Sequence, residues 1–319
     1  MKILITGFNG FVSKYFLEFL SSTPEQYTVL GLGRSAPAFD IKQYPNIDIT
    51  FQVVDLLDKE KVNEMISSFE PQYLLHLASI SSVGHSWKYP IESFVNNTNI
   101  FLNLIEQIRL QKIPCRILSI GSSEEYGNVT MADLPLTEDS RLAPISPYAV
   151  ARTSQEMLSK IYAEGYGMDI VMTRSFNHIG PGQKDVFVIS SFAKQLVMIA
   201  KDKLHSNKVV TGDLSIIRDF VDVRDVVKAY YLLLMNGRKG EVYNICSGKG
   251  ISLKEIMDKM CAQLKLNIEL STDEKLIRPT DNRIIIGSSE KIKKELNWNP
   301  AIPIDTSLQD IIRYWQEKI

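Results

Sequence analysis

Along the first half of the chain, short continuous apolar runs alternate with longer segments whose apolar residues recur every three or four positions. Lys2 to Thr6 (KILIT) reads as a strand buried on both faces, because an unbroken apolar run has no side to turn toward water. After Gly10, the residues Phe11, Tyr15, Leu17 and Leu20 recur at helical spacing until the breaker Ser21-Ser22-Thr23-Pro24. Further runs at Tyr27 to Leu32, Ile49 to Val54, Tyr73 to Leu77, Arg116 to Ile120 and Asp169 to Thr173 predict strands with helical segments between them. Such alternation predicts an α/β protein with a doubly wound parallel sheet and right-handed crossovers. Beyond Thr173 the pattern loosens. Asn177 to Gly182 (NHIGPG) is rich in breakers, and helices are expected near Ser190 to Lys203, Val223 to Met235, Leu253 to Leu264 and Ser307 to Glu317. The expected division is a sheet domain of residues 1–174 plus approximately 219–240, and a smaller α/β lobe of approximately 175–218 and 241–319.

Composition narrows the partners. The 319 residues include 36 Lys plus Arg against 37 Asp plus Glu and are 45% hydrophobic, which excludes disorder, collagen and fibre. A net charge of -1 provides no global field for nucleic acid or anionic lipid, so a small-molecule partner is expected. Cys115, Cys246 and Cys261 are odd in number and set among apolar residues, as buried thiols in a reducing compartment are. The four histidines are scattered, and no metal site is expected. The longest apolar stretch, Tyr230 to Met235, is too short to span a bilayer, and Met1-Lys2 leads straight into a strand-like run rather than a signal peptide. A cytoplasmic protein without a membrane partner is expected.

The candidate chemistry begins at the first turn. Thr6-Gly7-Phe8-Asn9-Gly10-Phe11-Val12-Ser13 joins the first strand to the first helix, where a dinucleotide-binding fold brings backbone N–H groups up to a pyrophosphate. Its spacing is GxxGxxS, with a small serine where a third glycine would ease helix–strand packing. At the end of the second strand an acidic residue would bind the adenosine ribose of NAD, but Gly31-Leu32-Gly33-Arg34-Ser35 holds none. Guanidinium and hydroxyl suit a 2'-phosphate, so NADP(H) is favoured over NAD(H). Asp55-Leu56 follows the third strand toward the adenine edge, and Leu77-Ala78-Ser79 sets a small-residue backbone beside the cofactor. Ser122, Ser123 and Glu124 follow the fifth strand at the carboxyl end of the sheet. Tyr148 and Arg152, four apart on a helix, share a face. A phenol of ordinary pKa about 10 serves as acid or base near neutrality when a cation stabilises its phenolate.

With the glycine turn, the serine after the fifth strand and this YxxxK-like pair, the chain resembles the extended short-chain dehydrogenase/reductase superfamily (the NAD-dependent epimerase/dehydratase family) over essentially its whole length. That resemblance implies a Rossmann-type sheet with a substrate-binding lobe. The segments SSVGHSW (from Ser81), GSSEEYG (from Gly121), TRSFNHIGPGQ (from Thr173), GDLSIIRDFVDVRD (from Gly212), VYNICSG (from Val242), RPTDNR (from Arg278) and LNWNPAIPIDTSLQDIIRYW (from Leu296) resemble the GDP-4-keto-6-deoxy-D-mannose reductase branch. The resemblance implies NAD(P)H-dependent reduction of a C4 ketone, giving GDP-D-rhamnose or a close relative. Tyr148 would be the proton donor and Ser122 a hydrogen-bond donor to the carbonyl oxygen. Arg152 stands where the family has a lysine, and that exchange is not conservative at a tight site. Gly7, Asn9, Gly10, Phe11, Val12, Asn97 and Phe176 would join the cofactor site, and Ser81, Ser123, Glu124, Asn177, Lys194, Arg218 and Arg278 the GDP-sugar site.

Two other readings stay open. Ser122, Ser123 and Glu124 also match a GDP-mannose 4,6-dehydratase, in which a glutamate abstracts a proton, although the turn FNGFVS and the segment NHIGPGQ fit the reductase better. Arg152 alone points to a catalytically weakened cofactor sensor. The resemblance further implies a homodimer through a four-helix interface, with Phe94, Phe101, Leu104, Ile105 and Ile108 on one helix and Met157, Leu158 and Ile161 on the other.

Overall fold

The structure is a computed structural model, which describes residues 1–204, 206–277, 280 and 282–319. Arg278 lies outside the described residues. The strands are β1 (Lys2–Thr6), β2 (Tyr27–Gly33), β3 (Ile47–Val53), β4 (Tyr73–His76), β5 (Arg116–Ser122), β6 (Asp169–Ser175), β7 (Asn177–Ile179), β8 (Lys208–Thr211), β9 (Ile217–Asp222), β10 (Val242–Ile245), β11 (Gly250–Ser252), β12 (Glu269–Thr272) and β13 (Ile284–Ile285). The α-helices are α1 (Phe11–Ser21), α2 (Lys59–Phe69), α3 (Val83–Lys88), α4 (Pro90–Phe94), α5 (Ile100–Leu110), α6 (Pro147–Gly165), α7 (Val188–Ala200), α8 (Val223–Asn236), α9 (Leu253–Leu264), α10 (Glu290–Leu296) and α11 (Ile304–Lys318).

Seven strands make one parallel sheet in the order β10-β6-β5-β4-β1-β2-β3. Its strands are continuous apolar runs because helices cover both faces: Ile3, Leu4 and Ile5 of β1 are fully buried. One core cluster joins a face to α1 and α8 through Leu17, Leu20, Val226 and Tyr230. The other joins the opposite face to α2, α5 and α6 through Val62, Phe101, Ile105 and Tyr162. The doubly wound α/β fold expected from the pattern is therefore present. The chain reverses direction between β1 and β4, so the crevice at their carboxyl ends is the place for a ligand.

The remaining strands pair elsewhere. β9 is flanked by β7, β11 and β13, and β8 pairs with β12. Beneath them, Leu196 of α7, Met260 of α9 and Ile311 and Trp315 of α11 pack in a separate core. From β9 the chain returns to the sheet domain: Asp222 caps α8 by accepting from the Arg224 amide at 2.9 Å. Val242–Ile245, grouped above with the second lobe, is the edge strand of the central sheet beside β6. Asp219 ties the two parts together. Fully buried, it accepts from the Ser247 amide and hydroxyl (2.7 and 2.6 Å), the Gly248 amide (2.9 Å) and the Gly287 amide (3.3 Å). Burial still pushes its carboxyl up to about 6.

One expectation about assembly needs correcting. Phe101, Leu104, Ile105 and Ile108 are buried in the chain's own core, because that stripe of α5 faces the sheet. Phe94 on α4 and Val150, Met157 and Ile161 on α6 are exposed, with Leu158 partly buried. Among the described residues no helix is long and apolar enough to cross a membrane. All three cysteines are free thiols.

Candidate active site

The glycine turn is shaped by what it touches. Gly7 has φ +68°, and a Cβ there would lie 2.7 Å from the Ala78 nitrogen, so the turn sits directly on the Leu77–Ala78 backbone. Gly10 precedes α1 and provides no side-chain cap, so the first-turn amides have no side-chain partner from that position and suit an anion. Asn9 bridges this turn to the loop after β2: its amide nitrogen donates to Ser35 Oγ at 3.0 Å and its oxygen accepts from the Ala38 amide at 2.7 Å. Arg34 beside it is exposed, with no hydrogen bond or ion pair among the described residues. Asp55 is exposed and accepts from the Leu57 amide at 3.0 Å, while Leu56 is buried. Thr6 Oγ1 accepts from the Ala78 amide at 3.3 Å and meets His76 Nδ1 at 2.9 Å. Burial and the nearby Arg152 charge hold His76 down at about 3, so this ring is neutral.

Asn97 lies behind the loop after β4. Within a π-helical turn (Val95–Asn99), its side chain accepts from the Ile80 amide at 2.8 Å and donates to the Ile80 carbonyl at 3.2 Å. It holds the loop that carries Leu77, Ala78 and Ser79. The Ser79 hydroxyl is buried without a hydrogen-bond partner among the described residues. A turn with no room for a Cβ, an uncapped helix start, an unpaired arginine where a carboxylate would repel a 2'-phosphate, and an orphaned buried hydroxyl together fit a nicotinamide dinucleotide.

The candidate reacting centre stands at the end of β5. Ser146 caps α6 through the Ala149 amide (3.1 Å) and Pro147 starts the helix, which sets Tyr148 in the first turn, 6% exposed. One turn on, Arg152 is buried and its Nε donates to the Tyr148 hydroxyl at 3.3 Å. The same guanidinium lies 5.4 Å from the Tyr148 ring centroid. Ser122 ends β5, and its Oγ accepts from the Glu124 amide at 3.2 Å. Glu124 is half-buried, and its carboxylate makes no hydrogen bond among the described residues. Ser123 is buried.

Behind Ser122 lies a buried network. Glu125 Oε1 accepts from the Ser122 amide at 2.6 Å, in space that Gly121 leaves open, since a Cβ there would lie 2.4 Å from that oxygen. Burial first, then the negative charge of Glu156, pushes the Glu125 carboxyl well above its ordinary range. Glu156 is different. Burial opposes its ionisation, but two hydrogen bonds from Arg174, both 2.8 Å, and one from Lys160 at 2.8 Å hold it down at about 2.

On the second-lobe side, Phe176 is buried against Tyr126, with ring centroids 6.2 Å apart, and Asn177 is exposed on β7. The His178 ring stacks 6.4 Å from Phe11 of the glycine turn, with Nδ1 buried and unpartnered among the described residues. Burial lowers its pKa to about 4. Arg218 is buried and donates to the Ile217 carbonyl at 3.0 Å. Ser81 is exposed, and Lys194 pairs with Asp185 at 2.6 Å. Sequence reasoning missed Glu125 and Gln155, which contacts Arg152 at 2.7 Å. The signal for Gln155 is its spacing, three residues after Arg152 on the same helix face. Among the described residues no cluster of metal-ligating side chains occurs.

The family described as GDP-mannose 4,6 dehydratase matches residues 4–311. The chain is 30% identical over 318 residues to GDP-6-deoxy-D-mannose reductase of Pseudomonas aeruginosa, across 100% of this chain and 98% of that protein. It is similar to the structure of RMD from Pseudomonas aeruginosa complexed with NADPH, at a TM-score of 0.86 and 30% identity, covering 100% and 99% of the two chains. It is also similar to UDP-glucose 4-epimerase from Thermotoga maritima with UDP-glucose, at a TM-score of 0.87 and 26% identity, with the same coverage.

Proposed function

The chain belongs to the GDP-mannose 4,6 dehydratase family of extended short-chain dehydrogenases/reductases, nucleotide-sugar enzymes that use a nicotinamide cofactor, and we propose that it reduces the C4 ketone of a GDP-4-keto-6-deoxyhexose. The observation that carries this reading is the Tyr148–Arg152 contact at the carboxyl end of the sheet, in a chain that matches the Pseudomonas reductase from end to end. When bound, the cofactor supplies the hydride that C4 accepts. Tyr148 gives its proton to the developing alkoxide, so ketone plus hydride plus proton becomes the alcohol. Ser122 donates a hydrogen bond to the same oxygen, where charge develops. Arg152 keeps a positive charge against the phenol as the proton leaves. Asn177 and Arg218 lie on the second-lobe side, where the GDP portion binds.

Arg34 and Ser35 favour NADPH. Arg34→Ala is expected to weaken NADPH about tenfold while leaving NADH unchanged, because only the phosphorylated cofactor loses a charge-assisted hydrogen bond. Binding titrations with both nucleotides check this, and equal losses for the two would contradict it.

The unpartnered Glu124 carboxylate favours one alternative, a dehydratase in which this residue abstracts a proton. Nucleotide balance separates the two. A reductase given GDP-4-keto-6-deoxy-D-mannose consumes NADPH in proportion to product, whereas a dehydratase converts GDP-mannose with its cofactor recycled. Turnover of GDP-mannose alone, without net NADPH loss, would overturn the reductase reading.

A second copy of the chain is the partner that fits the solvent face of α6. Val150, Met157 and Ile161 recur at intervals of seven and four residues, beside Phe94 on the adjoining α4, which is the spacing of a helix–helix seam. Met157→Glu is expected to give monomers in sedimentation velocity, and an unchanged dimer would contradict this assignment.

A further inference from the structure

Tyr148, Arg152, Gln155 and Ser159 occupy one face of α6, at positions i, i+4, i+7 and i+11. Gln155 is 1% exposed. Its Oε1 accepts from Arg152 Nη1 at 2.7 Å, while its Nε2 donates to Ser119 Oγ at 2.9 Å and to the Ile120 carbonyl at 3.1 Å. Ser159 Oγ lies 3.0 Å from Ser119 Oγ and 2.8 Å from the Gln155 carbonyl, closing a buried ring of hydrogen bonds between α6 and β5. The amide has one workable orientation here. Flipped, it would set its NH₂ against the Arg152 donor and its oxygen against the Ile120 carbonyl.

This ring answers a need peculiar to arginine. A guanidinium carries five N–H donors, and burying one without an acceptor is costly. Arg152 is 4% exposed: Nε reaches Tyr148, and Nη1 is satisfied by the Ile120 carbonyl at 3.0 Å and by Gln155. Without the Gln155 oxygen, one Nη1 donor loses its acceptor, and the planar fork turns to recover it at the expense of the Nε bond to Tyr148. A lysine ammonium has no second nitrogen to place and makes no such demand.

We propose that Gln155 is the positioning residue for Arg152, holding the guanidinium with Nε on the Tyr148 hydroxyl, so that Arg152 and Gln155 together do the work of the lysine in the YxxxK pattern. This rests on reading Arg152 as the cation of the cofactor site and is independent of which sugar is reduced. NADPH affinity, read by nucleotide fluorescence on the full chain with no sugar present, tests it in wild type, Gln155→Leu, Arg152→Lys and the double variant. Thermal melting verifies that each is folded. Gln155→Leu is expected to weaken NADPH about tenfold when residue 152 is arginine, and to cost nothing further in the Arg152→Lys background. Should Gln155→Leu not fold, Ser119→Ala removes only one acceptor of the Gln155 amide, and about a threefold loss with the same dependence on Arg152 is expected. Losses that add independently of residue 152, or an unchanged affinity in Gln155→Leu, would overturn the proposal. Because no sugar is present, a failure of the 4-keto substrate assignment would leave these outcomes readable.

Discussion

Tyr148→Phe is expected to retain NADPH binding and to lower turnover about 10²- to 10⁴-fold, the range a positioned general acid contributes. The substitution removes one oxygen and keeps the buried ring that packs 5.4 Å from the Arg152 guanidinium. Binding surfaces are otherwise unchanged, so the loss belongs in kcat rather than in cofactor affinity. Arg152 Nε also loses its acceptor, but Nη1 remains held by the Ile120 carbonyl and Gln155, which keeps the guanidinium in place. Steady-state rates beside an NADPH titration separate the two effects. A variant that turned over normally would move the proton-donor role to another group, and Ser122 would be the first to examine.

The second large effect is on stability. Arg174→Leu is expected to destabilise the fold by about 3 to 5 kcal/mol, because removing one partner of a buried ion pair leaves the other charge uncompensated. The Arg174 and Glu156 side chains are only 2% and 3% exposed and are joined by two hydrogen bonds of 2.8 Å. Arg174 also donates to the Glu138 carbonyl at 2.9 Å and lies 4.9 Å from the Tyr126 ring centroid, so the loss reaches the segment that follows Ser122. The pH dependence has a definite sign. Glu156 is depressed from 4.5 to about 2, so its stabilisation is present above about pH 4.5 and is lost as the pH falls toward 2. Glu125 is raised, so its contribution is present at low pH and declines as the pH rises above its ordinary value of 4.5. Urea titrations at neutral pH and near pH 4 check both points. A loss under 1 kcal/mol at neutral pH would show that the pair is dispensable.

The sheet was legible because parallel strands covered on both faces must be apolar throughout, and a run such as KILIT therefore announces itself. The strand at Val242–Ile245 is as apolar as the others, yet its place beside β6 depends on a partner far upstream, which no local period encodes. The stripe Phe101, Leu104, Ile105 and Ile108 shows the converse limit. A periodic apolar face says that something covers it, and here the cover is the chain's own sheet rather than a second chain. Tyr148 and Arg152 could be paired from their spacing alone, and they are in contact at 3.3 Å. Gln155 offered only its spacing from Arg152 and Glu125 no signal at all, since a buried polar residue and a solvated one look alike in a sequence until the groups opposite them are known. Asn97 illustrates the same point: its carboxamide is occupied by the Ile80 backbone and acts through the loop it holds.

The most direct test of the central claim is to follow deuterium from NADPH labelled at the nicotinamide C4 position into GDP-4-keto-6-deoxy-D-mannose generated in place from GDP-mannose. The chemistry assigned to Ser122, Tyr148 and Arg152 predicts one deuterium per product, found at C4 of a 6-deoxyhexose by NMR, with NADPH consumed in equal amount. Unlabelled product, or label at any other carbon, would contradict it.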